Sequence, residues 1–154
     1  MIRERLAGDL KTAIKADDAI RIAALRLISA AIKDRDIAAR AVRAGENVNG
    51  VSDEDIRQIL VRMVVQREKS ATGYEEAGQL ELAEQEREEI GIIRGYLPRQ
   101  MSEREMKTAI DSAIETIGAR SVRDISRVMA HLKENHTGQM DFTRACATLK
   151  ESFR

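Results

Sequence analysis

Apolar residues recur every three or four positions along this chain, and no segment alternates convincingly with period two. That spacing belongs to helices with one buried face and leaves no candidate strand. Leu6, Leu10 and Ile14 begin the pattern. Ile22, Leu25, Ile28 (or Ser29) and Ile32 continue it, enriched by Ala24, Ala30 and Ala31. Ile56, Ile59, Leu60 and Met63 make a third stripe, and Leu82 or Ala83, Glu86, Ile90, Ile93 and Leu97 a fourth. Three more follow: Met106, Ile110, Ala113, Ile114 and Ile117; then Val122, Ile125, Val128, Met129 and Leu132; then Phe142, Ala145, Cys146, Leu149 and Phe153.

Starts and stops fall between the stripes. Asp17 or Asp18 can cap the second helix, which should run to about Ala44 before a loop over residues 45–50. Ser52 to Asp55, Ser102 to Glu105 and Ser121 to Asp124 each have the form of a capping box. Gly78 suits a left-handed cap, Gly118 ends the fifth stripe, and Gly138 with Asp141 separates the last two helices. Pro98, the only proline, cannot continue a helix and disfavours helical geometry at Leu97. The expected fold is all-α: a four-helix hairpin bundle over 1–97, then a three-helix tail over 98–154 with a hinge at Pro98. A tail of that size is near the lower limit for folding alone, so it should lean on the first domain.

The chain is 43% hydrophobic, enough for a folded core, and its charges balance at 26 basic and 26 acidic. The distribution is uneven. Residues 1–50 carry ten basic and seven acidic groups, 51–98 six and eleven, and 99–154 ten and eight. Both ends can therefore meet phosphates while the middle repels them. Cys146 is the only cysteine, which rules out an internal disulfide and fits a reducing compartment. No charged-then-apolar leader opens the sequence, and no apolar run approaches the ~20 residues of a membrane span, so the expectation is a cytoplasmic protein without membrane association.

Catalytic signals are absent. His131 and His136 stand five apart, off the spacing of one helical face, with no ligand cluster to complete a metal site. Cys146 between two alanines reads as an inert thiol of the inner stripe. Ser29 and Ser70 lack an activating partner at helical spacing, and no phosphate-binding glycine loop occurs. The acidic run from Glu84 to Glu89 reads as a solvated helix face. No catalytic residue, metal or cofactor is expected.

Four stretches in order carry a family resemblance. Leu25-Arg26-Leu27-Ile28-Ser29-Ala30-Ala31-Ile32-Lys33 resembles an N-terminal helix, Gln66 to Ala83 a central one, Tyr96-Leu97-Pro98-Arg99-Gln100-Met101-Ser102 a linker, and Arg127-Val128-Met129 with Gly138 and Asp141 a tail. Together they resemble the GatB/YqeY family, small helical proteins related to the C-terminal part of the aspartyl/glutamyl-tRNA amidotransferase B subunit. Gln79 departs from the pattern, standing where a basic residue is expected. The resemblance implies a helical domain with a three-helix tail, and relatives whose tail helps to hold tRNA. Their family label, carbon–nitrogen ligase activity with glutamine as amido donor, belongs to domains this chain lacks.

Two basic rows are the candidate RNA contacts. Arg26, Lys33 and Arg40 are seven apart, a row about 21 Å long at ~1.5 Å per residue, with Arg35 in the same helix and Asp34 and Asp36 nearby to neutralise it. Arg120, Arg123 and Arg127 gather at a helix start, where free N–H groups and the dipole favour an anion. The expected function is a noncatalytic tRNA-binding module. The alternative is a protein–protein adaptor with no RNA binding, whose partner would be an amidotransferase or synthetase-type protein.

Overall fold

The computed structural model describes residues 1–43 and 50–153, and among them the chain forms seven α-helices, a short 3₁₀ turn and no strand. The protein is all-α. Its helices group into two compact units, Met1–Leu97 and Pro98–Arg154.

The first unit holds α1 (Ile2–Lys15), α2 (Ala19–Val42), α3 (Asp53–Glu76) and α4 (Leu80–Arg94). Its core contains Leu25, Ile28, Ile56, Leu60 and Ile93, all essentially inaccessible to water. Each such side chain contributes roughly 1.5–3 kcal/mol by burial. The face of α1 is Ile2, Leu6 and Ala13 with Leu10 half-buried, whereas Ile14, expected inside, is exposed. A stripe at spacing four drifts around a helix of 3.6 residues per turn, so its last member leaves the interface.

Asp18 caps α2 by accepting from the Arg21 N–H at 3.2 Å, while Asp17 takes the left-handed turn at φ 53°. Helix α2 ends at Val42 rather than Ala44, and residues 45–49 of the expected loop lie outside the described residues. The Ser52 box forms in full: its hydroxyl accepts from the Asp55 N–H at 3.2 Å and the Asp55 carboxylate accepts from the Ser52 N–H at 3.3 Å.

Between α3 and α4 the backbone closes a Schellman turn. Gly78 sits at φ 75°, its N–H donates to Glu75 O at 3.0 Å, and the Gln79 N–H donates to Tyr74 O at 2.8 Å. Helix α4 then runs back along α3, tied by Arg67–Glu89 at 2.9 Å, Arg94–Glu68 at 2.6 Å and Arg87–Glu75. Glu89 is therefore not part of a solvated run: its side chain and that of Arg67 are mostly buried against each other. The inner residue of α4 at its start is Ala83, not Leu82. The helix stops at Arg94, four residues before Pro98, where Tyr96 and Leu97 donate to the carbonyls three residues back. A tightened turn over Tyr96 and Leu97 thus separates the end of the helix from Pro98.

The second unit holds α5 (Glu103–Ile117), the 3₁₀ turn Val122–Asp124, α6 (Ile125–Asn135) and α7 (Phe142–Ser152) around Ile110, Val128, Leu132 and Leu149. The segment before α5 is fastened by the Met101 N–H to Gln139 O at 2.8 Å and by Gln100 Nε2 to Gly138 O at 2.6 Å. Ser102 caps α5 through the Glu105 N–H, but the reciprocal half of that expected box is missing. Arg99 takes the Glu105 carboxylate in a two-pronged pair at 2.9 and 3.1 Å instead. Val122, expected inside, is exposed, because the turn that carries it is 3₁₀ and the α-helical register starts only at Ile125.

Candidate nucleic-acid interface

The tail cations stand where α5 hands over to α6. Gly118 closes α5 in the left-handed region at φ 72°, and the chain turns through Ala119 and Arg120. The Asp124 carboxylate then accepts from the Arg120 N–H at 2.9 Å and the Ser121 N–H at 3.3 Å. Those two donors, with Arg127 at 3.8 Å, hold this carboxyl below the ordinary aspartate range. An anion was expected at the free N–H groups of this helix start. The Asp124 carboxylate takes two N–H groups that precede the helix and makes no side-chain cap on α6 itself, so the exposed arginine side chains are the charges that can meet a phosphate there. Arg120, Arg123 and Arg127 are all exposed, and among the described residues only Arg127 of the three makes an ion pair.

The other row lies on α2. Arg26, Lys33 and Arg40 are exposed at intervals of seven residues, which keeps them on one side of the helix. Of the two carboxylates expected to neutralise them, Asp34 and Asp36, the second is engaged elsewhere. Asp36 accepts from Arg3 Nη1 at 2.9 Å, from Arg3 Nη2 at 2.7 Å and from the Val51 N–H at 2.8 Å. Arg3 and then Val51 push the Asp36 carboxyl below its usual range, with a weaker contribution from Arg40. Arg26 and Lys33 make no ion pair among the described residues. A groove of about 360 Å³ between α1 and α2 is lined by Leu6, Leu10, Ser29 and Lys33 beside the Arg3–Asp36 pair.

Gly50 makes that pair possible. It sits at φ 90°, and a Cβ there would come within 2.8 Å of Arg3 Nη2 and 2.9 Å of Asp36 Oδ1. Neither the pair nor its glycine is marked by any short motif, since Arg3 and Asp36 are 33 residues apart. A second such tie joins the ends of the first unit: Tyr96 donates to Asp9, while Arg5 lies 4.7 Å over the Tyr96 ring and donates to Gly95 O.

A family model described as YqeY-like protein matches residues 3–153. The chain belongs to the YqeY-like family. The match spans α1 to α7, so both units of this YqeY-like protein, and both basic rows, lie within the family region. No curated protein matches it. Among the described residues no group of three His, Cys, Asp or Glu side chains is placed to hold a metal ion, and no helix is long and apolar enough to cross a membrane. Cys146, expected to be buried, is half-buried against the core of the second unit. Ser29 Oγ donates to Leu25 O at 2.9 Å, a backbone contact within its own helix.

Proposed function

We propose that this YqeY-like protein is a noncatalytic tRNA-associated module that holds RNA by its phosphate backbone. The tail cations Arg120, Arg123 and Arg127 are the contact surface, and Arg26, Lys33 and Arg40 are the candidates only if the tail does not bind. One observation carries the reading: three arginines are exposed within eight residues of one turn and helix start, and the one carboxylate among them, Asp124, accepts from two backbone N–H groups and, among the described residues, pairs only with Arg127, at 3.8 Å. Charge without base-reading aromatics suits recognition of RNA shape and backbone rather than sequence. The proposal assigns no bond-making step to this chain. The glutamine-dependent ligase label would come from fused relatives.

Filter binding of tRNA across a salt series tests it. Changing all three tail arginines to Ala should lower the log–log salt slope by roughly two to three units, at ~0.7–0.9 per phosphate neutralised. The loss should be similar for different tRNAs, because phosphate contacts carry no base information. Thermal stability should hardly move, since exposed charges contribute little to folding. Unchanged affinity and slope would place the surface elsewhere, with the α2 row next. If neither set matters, the adaptor reading takes over.

A further inference from the structure

Helix α2 has a second apolar face, on the side away from its core. Ile20, Ala23, Leu27, Ala30, Ile37 and Ala41 are all exposed, although three of them are large hydrophobics. With Asp34 between Ala30 and Ile37, their spacing runs three, four, three, four, three, four. That is an a/d heptad seam over three repeats, interrupted once by Asp34 and about 32 Å long at ~1.5 Å per residue. The buried residues Leu25, Ile28 and Ile32 lie on the opposite side of the helix, and Ala30, expected with that inner face, is exposed on the seam instead. Burial in the chain's own core therefore does not account for the seam.

The flanks of the seam say what can cover it. In this register the g positions are Arg26, Lys33 and Arg40, and the e positions are Ala24, Ala31 and Ala38. One edge is uniformly basic and the other uniformly small. In an antiparallel pairing with a second copy, basic edge would meet basic edge, which is repulsive. In a parallel pairing it would meet alanine, which returns no charge energy. An RNA backbone would use the three cations but gain nothing from Leu27 and Ile37. We propose that this face of α2 docks an amphipathic helix of a partner protein, apolar along its seam and acidic at the positions facing Arg26, Lys33 and Arg40. On the alanine edge Ala24 is buried in the chain's own core and Ala31 half-buried, so only Ala38 on that edge is open to the incoming helix. Asp34, the one charge inside the seam, marks the register. The Arg3–Asp36 pair supports the arrangement by giving the Asp36 carboxylate its hydrogen bonds outside the basic row, which it feels only weakly through Arg40. The proposal stands independently of RNA contact by the tail.

The probe is a synthetic three-heptad peptide with Leu at a and d and Glu at e and g, beside a twin carrying Lys in place of Glu. Neither peptide can pair readily with itself, because its flanks repel. Fluorescence anisotropy with the full-length protein should show binding of the Glu peptide and none of the Lys peptide. Leu27→Glu and Ile37→Glu, both at exposed positions, should each weaken the Glu peptide at least about tenfold while helicity by circular dichroism stays unchanged. Combining Arg26→Glu, Lys33→Glu and Arg40→Glu should reverse the preference toward the Lys peptide. Failure of the Glu peptide to bind, equal binding of the two, or indifference to Leu27→Glu overturns the proposal. So does a dimer in sedimentation that Leu27→Glu dissociates, since the occupant is then a second copy. Loss of tRNA binding in the triple variant of a protein that ignores the Glu peptide would assign the row to RNA instead.

Discussion

Removing the Asp36 side chain is the sharpest test of how the first unit is held together. Its carboxylate accepts three hydrogen bonds, two from Arg3 and one from the Val51 N–H, joining α1, α2 and the residue leading into α3. Hydrogen bonds to charged groups are worth roughly 1.5–3 kcal/mol when buried. The Arg3 side chain, however, is 40% exposed, so screening cuts its share to about 1 kcal/mol or less. The Val51 N–H loses its acceptor as well. Asp36→Ala should therefore cost about 2–3 kcal/mol, and Arg3→Ala nearer 1, because the latter leaves the Val51 contact in place. Urea unfolding followed by circular dichroism gives both numbers, and the double variant gives their coupling. The pH dependence is fixed in sign. Asp36 is held below the ordinary value of 3.8, so its contribution is present above that pH and fades as pH falls through the folded-state value. The gap between the natural protein and Asp36→Ala should be full at neutral pH and shrink in acid. A cost below about 0.5 kcal/mol at neutral pH, typical of an ordinary surface position, or a gap that persists unchanged in strong acid would refute the reasoning.

Three further outcomes are expected. Gly50→Ala should cost at least roughly 1–2 kcal/mol from the left-handed backbone alone, plus displacement of the Arg3–Asp36 pair; a thermal melt equal to that of the natural protein would contradict it. Tyr96 is pushed up to about 12, first by burial and then by its bond to Asp9. Its neutral phenol thus stabilises the fold below pH 10, and that contribution disappears as pH rises from 10 to 12; spectrophotometric titration of Tyr96→Phe should lack the late phenolate step. Of separately expressed fragments, 1–97 should be helical by circular dichroism and 99–154 less stable, and the reverse ordering would count against the division of roles between the units.

The helices were legible because amphipathic spacing is a local signal. Each of the seven stripes became an α-helix, and Ser52, Ser102, Gly78 and Gly118 cap where their types suggest. The misses are of two kinds. Ile14 and Val122 were placed inside because spacing alone does not say where a helix leaves its neighbour or changes to a 3₁₀ turn. By sequence Glu105 and Asp36 have local partners and Glu89 faces solvent, yet each is engaged by an arginine from outside its own helix. Charge pairs of that kind depend on which faces meet, which no short window contains. The basic rows are visible as spacing; whether they are neutralised is decided by distant residues.

That dependence links Arg3 to the surface of α2. Asp36 is three residues from Lys33 and four from Arg40, the spacings at which side chains on one helix meet. Held by Arg3 and the Val51 N–H, the carboxylate is directed toward α1 and the start of α3. Released, it would be free to pair with Lys33 or Arg40 and to subtract a charge from the row. Arg3→Ala should then weaken binding of an anionic partner at α2, although Arg3 lies on another helix. Asp36→Ala should strengthen it while costing more stability. The two halves of one ion pair thus act in opposite directions on the row and in the same direction on the fold. A loss of binding through general loosening would instead make both variants weaker, with Asp36→Ala the worse.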